Sequence, residues 1–282
     1  MKTRIMSGSV YVLILAAFYL LKIYVSDYLF DVLIWLFAVM GTFEMARACA
    51  LPPSQKAMVL AFSFLWVPVF VLSELKAAAG LTALIVFFCL IIFFLFCSLV
   101  IDYKTVTLES TAKAVLTAVY PSLFLAFLLA TNHLKESDLA ILMILVISPC
   151  GDSIAYLFGY TMHNKFPKKM APSISPNKTL IGAVGGLLGG IVGSIVLCVI
   201  WYYVKGLPAP LWEDILFFTL VGLLCAVATE IGDLAESAIK RKAGIKDMGK
   251  IMPGHGGILD RIDGTMLVTI VIYLIFVLIP AI

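Results

Sequence analysis

Long apolar runs alternate with short polar stretches along this chain. A bilayer core about 30 Å thick takes roughly 20 apolar residues per helix, so each long run predicts one membrane-spanning helix. The most apolar run is LTALIVFFCLIIFFLFCSLVI, whereas carboxylates interrupt the sixth and eighth runs. Nine runs qualify, at about residues 8–25, 28–48, 57–75, 81–101, 111–130, 139–162, 180–203, 215–235 and 265–282.

The composition agrees with this pattern. Of 282 residues, 62% are hydrophobic and only 13% are charged, and the mean hydropathy is +1.09. A soluble domain of this size is far less apolar. We therefore predict an all-α, polytopic integral membrane protein with about nine transmembrane helices, forming a single helical membrane domain over residues 1–282. Residues 1–135 hold the N-terminal spans, 139–265 the polar motifs and 265–282 the final span.

Basic residues predict how the spans are oriented, because lysine and arginine collect in cytoplasmic loops. With a cytoplasmic N-terminus, sixteen of the 20 lysines and arginines fall in the N-terminal segment or in even-numbered loops. The other four, Lys22, Lys76, Lys135 and Lys205, fall one to each odd-numbered loop or its edge. The sixth and eighth loops carry half of the 20 lysines and arginines, so anions are expected to collect there.

The most informative polar stretch is residues 237–263, SAIKRKAGIKDMGKIMPGHGGILDRID, which we call the signature segment. A helix leaving the membrane carries acids and bases on neighbouring turns of one side, because successive members of the series are three or four residues apart. The series is Glu230, Asp233, Ser237, Lys240 and Arg241. A glycine-rich turn then precedes Asp260 and Asp263, one turn apart. Glycines 254, 256 and 257 would let the backbone approach a ligand closely.

Acids surrounded by basic side chains at a membrane surface suit a hard divalent cation that holds a polyphosphate. The alternative is a solvated loop whose basic residues anchor to anionic lipid. That alternative leaves Asp233 unexplained, because an ionisable group near the end of an apolar span is costly and usually functional. We therefore expect nucleotide chemistry, with a divalent metal ion held by acids of this region.

A second polar motif lies in the sixth span and in the loop that follows it. Asp152 stands deep among apolar residues, where a carboxylate needs a partner or a water-filled cavity; a purely structural hydrogen bond is the alternative. Ser175 is predicted to cap a helix that starts at Pro176, which would offer free N–H groups to an anion, with Lys178 adding a full charge. Six glycines between residues 182 and 193 predict close helix packing, with a dimer seam or an acyl-chain groove as alternatives.

These motifs resemble a known family. The signature segment closely resembles that of the CDP-diacylglycerol synthases, which combine a Ser, a Lys-Arg pair, Lys-Asp, a Pro-x-His-Gly-Gly turn and a final Asp-Arg-x-Asp at these spacings. The resemblance extends to GDSIAYLFGY, residues 151–160, and to the Ser-Pro-x-Lys-Thr-x-x-Gly run that starts at Ser175.

The resemblance implies roles for individual residues and a Mg²⁺ cofactor. It implies metal binding by Asp233, Asp260 and Asp263. It implies a catalytic set of Asp233, Lys240, Arg241, Lys246, Asp260 and Asp263. It implies substrate contacts by Asp152, Ser175, Lys178, Thr179, Ser237, His255, Gly256, Gly257 and Arg261; for His255, a loop histidine bonded to backbone is the alternative.

The reaction that the resemblance implies is attack by a phosphatidate phosphate oxygen on the α-phosphorus of CTP, releasing pyrophosphate. We accordingly expect CTP, phosphatidate and membrane lipids as partners, no nucleic acid, and a possible homodimer. The expected location is the cell inner (plasma) membrane, with the active site at the cytoplasmic face. The alternatives are another CTP-using lipid enzyme, such as a polyprenol kinase or an archaeal synthase with an ether-linked substrate, and a cation-coupled transporter.

Overall fold

A computed structural model describes residues 2–77, 79–206 and 210–279 of the chain. Within these ranges there are nine helices long and apolar enough to cross a membrane, which confirms the predicted fold class. Two short strands accompany them. The helices are α1 (Lys2–Tyr24), α2 (Asp27–Ala48), α3 (Pro53–Ala77), α4 (Gly80–Ile101), α5 (Leu108–Asn132), α6 (Ser137–Met162), α7 (Leu180–Val204), α8 (Leu211–Lys242) and α9 (Leu259–Leu278), and the strands are β1 (Lys169–Ala171) and β2 (Ser175–Thr179).

The last two helices differ most from their predicted spans. Helix α8 continues to Lys242, seven residues past the predicted end of its apolar run, and its final turns are held by a buried ion pair between Glu236 and Lys240. Helix α9 begins at Leu259 rather than near residue 265, so both acids of its N-terminal part are helical. Residues 280–282 of the predicted final span lie outside the described residues.

The chain divides into two compact units. The first contains residues up to 132 together with 243–261, and the second contains residues 133–242 together with those from 262 onward. Residues 243–258, between α8 and α9, form what we call the signature loop, and they belong to the first unit. The single membrane domain stays a prediction.

In the first unit, α2 packs against α1, α3 and α5. Large apolar side chains such as Phe30, Ile34 and Met45 fill its contacts and are almost fully buried. Two acids, Asp31 and Glu44, are buried in the same helix. Because a buried carboxylate is costly without a partner, each acid must be satisfied by neighbouring donors.

In the second unit, α7 lies against α6 and α8 through its glycines. A Cβ added at Gly189 would lie 2.6 Å from the carbonyl oxygen of Cys150 in α6, and one at Gly190 would lie 2.6 Å from Cβ of Ala226 in α8. No side chain fits at either position. The predicted close packing of this helix is therefore confirmed.

The two strands form an antiparallel hairpin before α7, with Ala171 opposite Ser175 and Lys169 opposite Thr179. The predicted helix cap at Ser175 is wrong, because residues 175–179 are extended and pair with β1. Helix α7 starts at Leu180, and its cap is Thr179, whose hydroxyl accepts a hydrogen bond from the Gly182 N–H at 3.1 Å. The strand pairing, a contact with residues earlier in the chain, moves the helix start by four residues.

Candidate active site

The second unit contains an open cavity of about 400 Å³ whose walls come from α6, the hairpin, α7 and α8. Four of the residues that the sequence singled out as site candidates meet there: Asp152, Lys178, Thr179 and Asp233. The cavity is lined by Asp152, Ala155, Tyr156, Gly159, Tyr160, Met170, Asn177, Lys178, Thr179, Gly182, Ala183, Glu230 and Asp233.

Lys178 is paired with two acids of α8. Its Nζ donates to Asp233 Oδ2 at 2.7 Å and to Glu230 Oε2 at 3.0 Å. The three side chains are 26%, 18% and 13% exposed, so solvent screens them only partly. Burial alone would lower the pKa of Lys178, but the negative charges of Asp233 and Glu230, and the hydrogen bonds to both, outweigh burial and raise that pKa. The two acids therefore favour the charged form of Lys178 at the cavity wall.

Asp263 joins the same group of acids. It lies in α9 of the second unit, where a Cβ on Gly232 of α8 would come within 2.5 Å of its carbonyl oxygen. This close approach places its carboxyl group beside the charge of Asp233 and in hydrogen-bond contact with Glu236. Carboxyl groups that face one another repel when ionised, so the cluster is stabilised by positive charge.

Asp152 is exposed rather than buried in the protein interior, and it lines the cavity. The sequence predicted that this carboxylate would need a partner or a water-filled cavity, and the structure places it at a cavity. On the same helix, the rings of Tyr156 and Tyr160 stack with centroids 6.1 Å apart and also line this space. The cavity thus combines one acidic and two aromatic side chains from a single face of α6.

The end of α8 holds the other predicted residues of this unit. Lys240 is only 9% exposed, and its Nζ donates to Glu236 Oε2 at 2.6 Å. Arg241 is exposed and donates from Nε to the Ile174 carbonyl at 3.2 Å, which ties α8 to the turn of the hairpin. Ser237 is half-buried, as is Ser175 in β2. The roles predicted for these residues toward substrate stay predictions.

The first unit contains a second polar cavity, of about 540 Å³, built by the signature loop. Hydrogen bonds from Met252 N to Gly256 O and from His255 N to Met252 O close its turn. Lys246, Lys250 and Arg261 are exposed around it, so the cavity is cationic and suits an anion. It is lined by Lys246, Asp247, Gly249, Lys250, Met252, Pro253, Gly254, His255, Gly256 and Arg261.

Asp260 holds this loop from within. Its Oδ2 accepts from the N–H groups of Met248 and Gly257, each at 2.8 Å, and the residue is only 8% exposed. Gly256 has φ of +87°, a conformation that favours glycine, and a Cβ there would collide with the Asp260 carboxylate. The side chain of Asp260 is thus engaged with backbone, and its metal-binding role stays a prediction.

Three residues of the first two helices also contact the signature loop, and the sequence reading missed them. The Glu44 carboxylate accepts from Ile258 N at 3.1 Å and Leu259 N at 3.0 Å. Arg47 Nη2 donates to the Met248 carbonyl at 2.6 Å. Ser7 Oγ lies 3.0 Å from the Pro253 carbonyl, to which it donates, and 2.7 Å from His255 Nδ1. The sequence does contain one indication of a role for Glu44, because an acid within an apolar run is costly and usually functional.

The acids of the second unit fit a divalent cation by their chemistry. Asp233 and Asp263 supply the oxygen ligands that Mg²⁺ prefers, and the repulsion between neighbouring carboxylates would fall when the ion binds. Among the described residues, no group of three or more His, Cys, Asp or Glu side chains stands in a metal-coordinating arrangement. Proteins commonly bind this ion with one or two carboxylates, and substrate phosphates and water complete its coordination.

Comparison with known proteins agrees with the motifs. The model of the cytidylyltransferase family matches residues 2–279. The chain is 31% identical to a phosphatidate cytidylyltransferase of Bacillus subtilis over 99% of this chain and 98% of the relative. It is 42% identical to one of Staphylococcus epidermidis over 42% of this chain and 41% of the relative, and 39% identical to one of Brucella abortus over 38% and 36%. The chain therefore belongs to the cytidylyltransferase family.

Proposed function

We propose that this chain is a Mg²⁺-dependent phosphatidate cytidylyltransferase that works at the cytoplasmic face of the inner (plasma) membrane. It joins CTP to phosphatidate and forms CDP-diacylglycerol and pyrophosphate. The observation that carries the proposal is Lys178, held between Glu230 and Asp233 at an open cavity, in a family member whose signature segment supplies further acids and bases.

The bond changes follow from the two substrates. An oxygen of the phosphatidate phosphate attacks the α-phosphorus of CTP, and the bond from that phosphorus to the β-bridging oxygen breaks. The electron pair of that bond leaves with pyrophosphate. Because the second pKa of a phosphate monoester is about 6, the nucleophile is largely ionised at neutral pH and needs no strong general base. Catalysis then depends on positioning and on neutralising charge.

The residues of the chain divide this work. Asp233 and Asp263 would hold Mg²⁺, while the metal-binding role that the family resemblance implies for Asp260 stays a prediction. When bound, the ion supplies charge neutralisation at phosphate oxygens. Lys178 keeps its positive charge at the cavity wall and is free to exchange one carboxylate for a phosphate oxygen.

In the first unit, the signature loop presents exposed basic side chains and backbone N–H groups to an anion. Lys246, His255 and Arg261 are the proposed phosphate contacts there. Gly256 lines the cavity and is a proposed backbone contact of the anion. The contact that the family resemblance implies for Gly257 stays a prediction. Among the described residues that line this cavity, Asp247 is the one acid. The two acids behind the loop, Asp260 and Glu44, are engaged with backbone N–H groups.

The orientation is part of the proposal. A cytoplasmic N-terminus places both motif-bearing loops, the sixth and the eighth, on the side where CTP is found, while the acyl chains of phosphatidate stay in the bilayer. Location at the membrane surface thus suits one water-soluble and one lipid substrate. A homodimer is a further part of the proposal, tested by the mass of the purified protein–detergent particle.

The test uses CTP radiolabelled at either the α or the γ phosphate, with purified protein, phosphatidate in detergent micelles, and Mg²⁺ present or omitted. The proposal predicts a chloroform-soluble product labelled only from the α position and only with Mg²⁺. A lipid labelled from the γ position would indicate a kinase instead. An ether-linked acceptor used in preference to phosphatidate would indicate an archaeal type of synthase, and no labelled lipid would leave transport to be assayed.

A further inference from the structure

We infer that Glu44, an acid of α2 outside the signature segment, is a positioning residue for the cytidylyltransferase reaction: it holds the signature loop and the start of α9 in place. The inference rests on the proposed function, because it assigns the purpose of a contact to the loop that carries the proposed phosphate ligands. Glu44 accepts hydrogen bonds from the backbone N–H groups of Ile258 and Leu259, and its carboxylate lies against Gly249 and Gly257.

Glu44 is buried and is committed to the backbone. Only 1% of the residue is exposed. Its two carboxylate oxygens each accept one N–H, from Ile258 and from Leu259. These are the N–H groups at the beginning of α9, which have no partner within the helix. A carboxylate there also interacts favourably with the positive end of the helix dipole. A cap that many helices take from a neighbouring residue is supplied here by a distant one.

The loop is shaped around this carboxylate. A Cβ at Gly249 or at Gly257 would collide with a Glu44 carboxylate oxygen, so a side chain at either position would displace that carboxylate from its hydrogen bonds. The Glu44 carboxylate is therefore a reason for glycine at position 257 that does not depend on a ligand. The two glycines and the acid form one interlocked contact that lies on the buried side of the loop.

Two further contacts fix the same part of the loop. Asp260 accepts from the N–H groups of Met248 and Gly257, and Arg47 donates to the Met248 carbonyl. Both ends of the segment 249–257 are thereby pinned, one end beside Met248 and the other at Gly257. The residues between them, including Lys250 and His255, form the wall of the cationic cavity.

Pinning matters because phosphate contacts depend on geometry. A flexible loop would have to be ordered each time an anion binds, and that entropy cost is removed when the protein orders the loop in advance. Glu44 also fixes where α9 starts, and Asp263 follows in the same helix one turn after Asp260. A role limited to general stability would instead weaken the whole fold without a selective effect on the loop.

The experiment compares Glu44→Ala and Glu44→Gln with the matched control Asp31→Asn in the full-length protein in detergent. Asp31 is a similarly buried acid of the same helix, 2% exposed, and its Oδ1 accepts from Asn132 Nδ2 rather than from the loop. Two readouts are taken: hydrogen–deuterium exchange of peptides that cover residues 245–260, and steady-state kinetics with CTP at saturating phosphatidate.

In Glu44→Ala we expect exchange in residues 245–260 to rise at least about tenfold and kcat/KM for CTP to fall at least about tenfold, the size expected when a buried hydrogen-bonded charge is lost. Glu44→Gln keeps one acceptor oxygen and should lie between. Asp31→Asn should leave both readouts near those of the unsubstituted protein. If Glu44→Ala does not fold, Glu44→Gln decides between the same outcomes.

Unchanged exchange of residues 245–260 in folded Glu44 variants would overturn the inference, and so would unchanged CTP kinetics despite faster exchange. Exchange that rises equally throughout the protein would assign Glu44 to general stability and would also overturn it. If the unsubstituted protein forms no CDP-lipid, the proposed function fails, while the exchange experiment still decides whether Glu44 holds the loop.

Discussion

Lys178 reaches across 55 positions of sequence to donate a hydrogen bond to Asp233 at 2.7 Å, from a strand of the hairpin to a membrane helix. The pair joins the two motifs that carry the family resemblance within the second unit. It also explains why an acid is tolerated near the end of the apolar run of α8: the lysine neutralises it.

Replacement of Lys178 should reduce turnover. We expect Lys178→Met to lower kcat for CDP-diacylglycerol formation by at least about a hundredfold, because a charge aimed at the reacting phosphates is worth about 3 kcal/mol or more in such sites. Product formation from α-labelled CTP measures this. Lys169→Met, an exposed lysine of the same hairpin, is the control and should stay within about twofold. Equal losses in both variants would contradict a specific role for Lys178.

Stability and activity should separate at this ion pair. Lys178→Met leaves Asp233 and Glu230 without their cation and should destabilise the protein by about 1–2 kcal/mol, a modest value because the side chains remain partly exposed. Adding Asp233→Asn should recover much of that loss without restoring turnover. Apparent melting temperature in detergent and product formation report the two effects. Recovery of turnover in the double variant would show that the pair is structural only.

Metal binding should be detectable without turnover. A ligand that binds only the folded protein stabilises it, so Mg²⁺ should raise the melting temperature of the unsubstituted protein. The rise should disappear in Asp263→Asn, and chelation of the metal should abolish product formation. Glu213→Gln changes an exposed acid at the other end of α8 and should keep the rise. A Mg²⁺-induced rise that persists in Asp263→Asn would remove that residue from the metal site.

The glycine contacts of α7 predict a packing defect. Gly190→Val would force a side chain against Ala226 of α8 and should destabilise the protein by about 1–3 kcal/mol, the usual cost of overpacking. Val192→Leu on the exposed face of the same helix is the control and should have little effect. Half-life at elevated temperature in detergent compares the two, and similar half-lives would mean that α7 can move away from α8.

The sequence predicted the helices well because the length of an apolar run is a local property. The prediction that Ser175 caps a helix was wrong, because residues 175–179 pair with β1 and are extended. Thr179 is the N-cap of α7 instead. The motif residues Asp152, Lys178 and Asp233 do meet at one cavity, and the family resemblance had grouped them as site residues although they are far apart in sequence. Glu44 was missed because its partners are backbone N–H groups, which leave no trace in the side-chain pattern.

The contact between Glu44 and Ile258 also bears on how the protein is made. The two residues are 214 positions apart, so α2 leaves the ribosome and enters the bilayer long before the groups that satisfy its carboxylate exist. Until residues 258 and 259 are made, the acid cannot form these two hydrogen bonds. The contact that holds the signature loop can therefore form only late in synthesis, and a chain that stops before α9 lacks it.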